Sequence, residues 1–191
     1  MQTNSTISLI GPLGAGKTTV GQLLAERVGL PFCSIDQVRE EYYQKVGYER
    51  SLASRIASDR GIRGVLRYSQ PFEARMVELV LADHKGVLDF GASNSVYDDP
   101  ELLARVETAL APYPNVILLL PSPDMDESLE ILKDRLVRML TAAGKEYSDE
   151  LFELNETFVR HPSNRWLAKR VVYTRDKTPE QICNEIERGL V

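Results

Sequence analysis

Residues Gly11-Pro12-Leu13-Gly14-Ala15-Gly16-Lys17-Thr18-Thr19 fit the pattern G-x-x-x-x-G-K-[ST]. Such a stretch works only where a strand hands over to a helix. Glycines let the backbone curl so that its N–H groups point inward at an oxyanion. The following helix adds free N–H groups and the positive end of its dipole. Both flanks suit this. Thr6-Ile7-Ser8-Leu9-Ile10 is a short apolar run with β-branched residues, which predicts a buried strand. Val20, Leu23, Leu24, Ala25 and Val28 then recur at helical spacing, with Gly29 as a stop signal. In that setting Gly11, Gly14, Ala15, Gly16, Lys17, Thr18 and Thr19 form a nucleotide cradle. Lys17 reaches the β and γ phosphates, and the Thr18 hydroxyl holds Mg²⁺.

The rest of the chain repeats the strand–helix alternation. Pro31–Ile35 predicts a second strand ending at Asp36, followed by a helix from Val38 to Val46 that breaks near Gly47. A short helix is expected over 51–59, with Gly61 and Gly64 as interruptions, and a stronger one over 72–84, where Phe72, Met76, Leu79 and Val80 share a face. Gly86–Phe90 predicts the third strand, then a loop over 91–95 and a helix over 100–111 ended by Pro112 and Pro114. Asn115–Leu120 is the clearest strand, closed by Pro121 and Pro123. Helices over 124–143 and 148–159, a fifth strand over 170–174 and a last helix opened by Thr178-Pro179-Glu180 complete the reading. Five short apolar strands alternating with helices imply a parallel sheet covered on both faces. No internal repeat or low-complexity segment interrupts it.

Composition narrows the partners. The 191 residues are 27% charged and 43% apolar, enough for one domain with a buried core. A net charge of −5 without a basic run disfavours nucleic acid. No apolar run reaches the roughly 18 residues of a membrane span, and nothing reads as a signal peptide, so a cytoplasmic protein without membrane partners is expected. A monomer is compatible with this. Cys33 and Cys183 read as buried free thiols, since no ligand cluster surrounds either. Trp166 reads as packing in the core or a lid.

Ligands of such sheets bind beyond the carboxyl ends of the strands. Those ends carry the Gly11–Thr19 loop, Asp36, Asp89 with Gly91 and Ala92, Pro121 and Arg175. Asp36 either binds an acceptor hydroxyl and helps remove its proton, or caps the helix beginning at Gln37. Asp89 follows two apolar residues and either holds Mg²⁺, directly or through water, or bonds to Thr18 or a loop N–H. The long stretch 124–160 carries Lys133, Arg135, Arg138 and Lys145, which form either a mobile lid over a transferring phosphoryl group or a solvated helix face beside Glu127, Glu130 and Asp134. Arg160 is placed either to bind an acceptor carboxylate or phosphate or to form a structural ion pair. Neither His84 nor His161 has neighbours in sequence that suggest catalysis.

The pattern resembles the shikimate kinase family, within the nucleoside-monophosphate-kinase-like branch of P-loop proteins. Ile10 to Gly21, reading IGPLGAGKTTVG, is similar to the family's opening, and the likeness continues over 23–32. The family's Asp-x-Asp motif becomes Ser34-Ile35-Asp36, which keeps the second acid. Its Gly-Gly-Gly turn becomes Gly91-Ala92-Ser93, and the arginine it carries after a phenylalanine is replaced by Glu73 after Phe72, leaving Arg67 or Arg75 as nearby substitutes. Arg160 before Pro162 resembles the family's other substrate arginine, and Arg175 to Pro179 its adenine-side loop.

The resemblance implies a three-layer α/β/α domain over 1–191, a five-stranded parallel sheet of order 2-3-1-4-5, and a helical lid over 124–160. It implies transfer of the γ-phosphoryl group of ATP, with Mg²⁺, to the hydroxyl of a small acceptor. Lys17, Asp36, Arg135 and Arg138 would be catalytic; Gly91, Ala92, Asp36 and Arg160 would face the acceptor; Thr18 and Asp89 would face the metal; Arg175 and Pro179 would face the nucleotide. The altered residues at 34, 73, 92 and 93 point to an acceptor other than shikimate. A nucleoside or nucleotide kinase, or a nucleotide-binding regulator without turnover, are the alternatives. Retention of Lys17, Thr18, Asp36 and Asp89 weighs against the last.

Overall fold

The computed structural model describes residues 6–191. The expectation about a leader at the N-terminus bears in part on residues 1–5, outside the described residues. Strands β1 (Ile7–Ile10), β2 (Phe32–Ser34), β3 (Val87–Asp89), β4 (Asn115–Leu120) and β5 (Arg170–Tyr173) form one parallel sheet of order β2-β3-β1-β4-β5. The expected order is therefore the observed one, and β4 has the bounds expected from its apolar run.

Side-chain alternation sorts the sheet into two cores. Ile10, Leu88, Val116, Leu118 and Leu120 face one layer, made by α2 (Ile35–Val46), α3 (Arg50–Asp83), α4 (Pro100–Leu110) and α7 (Pro162–Leu167). Ile7, Leu9, Val87, Ile117 and Leu119 face the other, made by α1 (Lys17–Val28), α5 (Met125–Ala142), the end of α6 (Asp149–Arg160) and α8 (Pro179–Glu187). Both faces are covered, so the strands can be apolar throughout. A smaller cluster of Ala92, Val96, Leu154 and Phe158 lies at the carboxyl edge, with Leu13, Ile62 and Leu66 packed against it.

The helix starts follow local chemistry. Asp99 and Asp124 accept hydrogen bonds from the first turns of α4 and α5. Thr178 and Gln181 form a reciprocal capping box at α8, with Pro179 in the first turn. By contrast α1 begins at Gly16, which is left-handed at φ 95° and offers no side-chain cap.

Several sequence expectations are corrected. Gly61 does break a helix, with φ 65° and ψ −169°, but Gly64 does not. The chain turns helical again at once, because Glu150 of α6 accepts from the Ile62 N–H at 3.0 Å. The helix then runs through Pro71 to Asp83 rather than starting at Phe72. Pro71 lies on the exposed face, while Glu73, Ala74, Met76, Val77, Val80 and Leu81 are buried, and that burial outweighs the roughly 3 kcal/mol cost of a helical proline. The loop after β3 is a 3₁₀ turn, Ala92–Ser95, and α7 was not expected at all. Trp166 is 66% exposed and packs in no core. Both thiols are free; Cys183 is buried and Cys33 only partly so. Among the described residues, no helix is long and apolar enough to cross a membrane.

Because Leu118 sits in the middle of the sheet without exposure, Leu118→Ala is expected to cost about 2–5 kcal/mol of unfolding free energy in urea titration. A loss under about 1 kcal/mol would contradict the packing described.

Candidate active site

The loop after β1 holds an ammonium inside its own curl. Lys17 is 8% exposed, and its Nζ donates to the carbonyls of Gly11 at 2.9 Å and Pro12 at 3.0 Å. Burial lowers the Lys17 pKa, while the charges of Asp89 and then Asp36 oppose that shift. The loop is braced from outside. Asn155 of α6 accepts from the Leu13 N–H at 2.9 Å and donates to the Leu13 carbonyl at 3.2 Å. Arg135 of α5 donates to the Thr174 hydroxyl at 3.2 Å, and reaches the Gly14 carbonyl at 3.5 Å. Gly14, at φ 75°, lies against Leu136, so a side chain there would meet α5. Ala15 is buried, and the Thr18 and Thr19 side chains are exposed at the mouth.

Thr18 Oγ1 donates to Asp89 Oδ2 at 2.6 Å. Of the two readings of Asp89, the bond to Thr18 is the one observed. Burial raises the Asp89 pKa; Lys17 and the Thr18 bond act against it. Ser34 explains part of the departure from Asp-x-Asp. It stands opposite Asp89 in the β2–β3 register, with its hydroxyl 3.5 Å from Asp89 Oδ2. A second carboxylate there would stand beside the first.

Asp36 does not cap α2. It lies in the helix's first turn, after Ser34 as the flanking residue. Its Oδ1 pairs with Arg39 Nη2 at 2.5 Å, one turn on. Gly91 makes this possible: a Cβ there would fall 2.6 Å from Asn94 Oδ1, 2.7 Å from Arg39 Nη2, and nearer still to Asp36. Asp36 and Arg39 stand on the boundary between two cavities. One, of about 320 Å³, is walled by Ala92, Ser93, Glu73, Tyr43, Leu66, Leu154 and Phe158, among others. The second, of about 380 Å³, opens outward past Glu40 and Arg50. A groove of about 570 Å³ lies along α5 on the other side of the loop, lined by Arg135, Arg138 and Arg175 with Glu127 and Asp134.

Glu73 is 3% exposed in the wall of the first cavity. Its Oε1 accepts from Ser93 Oγ at 2.8 Å and from Tyr43 at 3.1 Å. Its Oε2 has no hydrogen-bond partner. Burial raises the Glu73 pKa; Arg39 and the two hydroxyl bonds oppose that, and Asp36 adds to it.

Arg160 does not face this cavity. It pairs with Asp126 at 2.5 Å and Glu156 at 2.9 Å, so its ion-pair reading holds in this conformation. Neither Arg67 nor Arg75 substitutes for the missing arginine: both are exposed, and Arg75 pairs with Glu78. Arg175 pairs with Glu127 and Asp176 at the groove, and Arg138 donates to the Asp134 carbonyl. Pro179 serves in the first turn of α8. Sequence reasoning missed Arg39, Tyr43 and Asn155. The i, i+3 spacing of Asp36 and Arg39 was the available signal; nothing local marked Asn155.

A parallel sheet of this order, a glycine loop curled around a buried lysine, and a cavity beside it define a P-loop small-molecule kinase. The model of the family described as shikimate kinase matches residues 13–190, and the chain belongs to that family. A shikimate kinase of Dehalococcoides mccartyi is 29% identical over 190 residues, covering 100% of this chain and 96% of the relative. One from Streptomyces coelicolor is 31% identical over 177 residues, covering 92% and 90%. Among solved structures, the fold is similar to that of a shikimate kinase from Acinetobacter baumannii in complex with shikimate (TM-score 0.64, 22% identity, 98% of this chain and 93% of that one). It is also similar to that of a gluconokinase from Sinorhizobium meliloti (TM-score 0.60, 15% identity, 99% and 93%).

The raised Glu73 pKa means that the folded protein holds this proton more tightly than the unfolded chain does. Stability is therefore lost as pH rises from the ordinary value of 4.5 through the raised folded value. Glu73→Gln keeps an oxygen for Ser93 and Tyr43 and has no charge to bury. Its stability relative to the parent is expected to improve across that window and to show no pH-dependent gain below it. Paired urea midpoints from acid to neutral pH measure this, and a gap that does not change with pH would contradict it.

Proposed function

We propose that the protein transfers the γ-phosphoryl group of ATP, in the presence of Mg²⁺, to a hydroxyl of a small acceptor other than shikimate. The observation that carries this is the position of Asp36, in the wall of a cavity beside the loop and near enough to Lys17 for their charges to interact.

The residues fit both groups. The first N–H groups of α1 have no side-chain cap and no acid in the first turn, as an anion site requires. Lys17, released from the Gly11 and Pro12 carbonyls, meets the phosphates with a desolvated charge. Thr18 and Asp89 supply hard oxygen ligands suited to Mg²⁺, which when bound would neutralise phosphate charge. Arg135, Arg138 and Arg175 line the groove for the rest of the nucleotide; Pro179, in the first turn of α8, does not line it. Asp36 accepts the acceptor's proton as its oxygen bonds to the γ phosphorus. The bond from that phosphorus to the ADP oxygen breaks, and ADP leaves with the electron pair.

Within the 124–160 lid, α5 is anchored by Leu129 and Leu132 in the core, while residues 143–146 are exposed. The connector is thus the part least held by packing, while the start of α6 is tied to α3 through Glu150 and Ile62. The relatives' names favour shikimate as acceptor, and the Acinetobacter protein holds it. In this chain, the cavity offers Glu73 where that likeness expects an arginine.

A coupled assay of ADP release and product formation, run over small alcohols, sugars, nucleosides and shikimate, tests the proposal. Product is expected from at least one alcohol and not efficiently from shikimate. Asp36→Asn is expected to lower kcat by about 10²–10⁴-fold while the affinity for Mg·ATP stays unchanged. Efficient shikimate turnover would refute the altered acceptor; nucleotide binding with no product from any compound would favour a silent regulator.

A further inference from the structure

The acceptor cavity holds an uncommon combination: two carboxylates, Asp36 and Glu73, and, among the described residues, one basic group in its wall, Arg39. That guanidinium is committed to Asp36 at 2.5 Å. The other arginine that could grip an anion, Arg160, is paired with Asp126 and Glu156 outside the cavity. An anionic ligand would thus enter a site of formal charge −1 whose cation, Arg39, is already paired, beside a carboxylate, Glu73, that is itself buried.

Glu73 carries the second observation. Two hydroxyls satisfy its Oε1, yet its Oε2 is buried without a partner. A buried carboxyl oxygen left alone costs stability, so its retention wants a reason. Arg39 Nε is likewise buried without a partner. Together they offer one acceptor and one donor on the same wall. The same cavity is lined by Leu66, Leu154 and Phe158, an apolar surface with nothing to bond a polyanion.

Resting on the phosphotransferase reading above, we propose that the acceptor is an uncharged or cationic alcohol. Beside its reacting hydroxyl it carries a hydrogen-bond donor that Glu73 receives, and an apolar body that lies against Leu66, Leu154 and Phe158. Glu73 is the specificity-determining residue, selecting amine, amide or hydroxyl over carboxylate. An ammonium there also offsets the desolvation that raises the Glu73 pKa. Arg39 positions Asp36 and gives its free N–H to an acceptor oxygen.

The test is calorimetric binding to the protein loaded with Mg·ADP, so it needs no turnover. Hydroxylated six-membered rings, aliphatic and aromatic, are compared in sets of one skeleton bearing a carboxylate, a carboxamide or an aminomethyl group; shikimate and its carboxamide make one pair. The carboxamide and aminomethyl compounds are expected to bind about tenfold more tightly than the carboxylate of the same skeleton. Glu73→Gln is expected to shrink the gap between aminomethyl and carboxylate by about the same factor. Tighter binding of the carboxylates, equal binding across each set, or binding of none would overturn the proposal. Failure of every compound to be phosphorylated, with the binding preference intact, would instead count against the phosphotransferase reading alone.

Discussion

Everything in this molecule is arranged around one buried ammonium. The Lys17 charge is held by two carbonyls of its own loop and by the field of Asp89 and Asp36. A desolvated cation is costly unless opposite charge stands near. That requirement brings the ends of β1, β2 and β3 together, since each contributes a member: the loop itself, Asp36 after β2, and Asp89 closing β3. The parallel order β2-β3-β1 puts these ends on one edge. The same order lets Thr18 reach Asp89 across the sheet.

The supporting layer is what keeps the loop open to a ligand. Asn155 bonds both polar groups of Leu13, and Arg135 ties Gly14 toward Thr174. Both braces come from the span between β4 and β5, so a movement of α6 would be felt directly at the cradle. The acceptor side is built otherwise. Its polar groups come from α2, α3 and the 3₁₀ turn, and its apolar wall from α3 and α6.

This division explains what could be read from the residues alone. The sheet was legible because strands buried on both faces are continuous apolar runs, and Asn115–Leu120 is such a run bounded by prolines. The nucleotide cradle was legible because its chemistry is local: glycine, lysine and threonine at fixed spacing. The long α3 was not. Gly64 and Pro71 carry breaking signals that tertiary burial of Met76, Val77 and their neighbours overrides, while Gly61 breaks the helix as its φ demands. The candidate acceptor site was half legible. Asp36, Gly91 and Ala92 were found at strand ends, and Glu73 was among the changes that pointed to a different acceptor. The two readings of Arg160 could not be separated from sequence, because its partners Asp126 and Glu156 lie on two helices whose packing no local pattern reveals.

The central claim is that the Lys17 loop is a seat for a nucleotide polyphosphate. Titration calorimetry with Mg·ATP, on the parent protein and on Lys17→Ala, tests it most directly. Saturable binding by the parent and a loss of at least about tenfold in affinity in the variant are predicted, the interaction being a charge-assisted one in a dry site. Absence of heat with the parent, or equal affinity in the two proteins, would contradict the account.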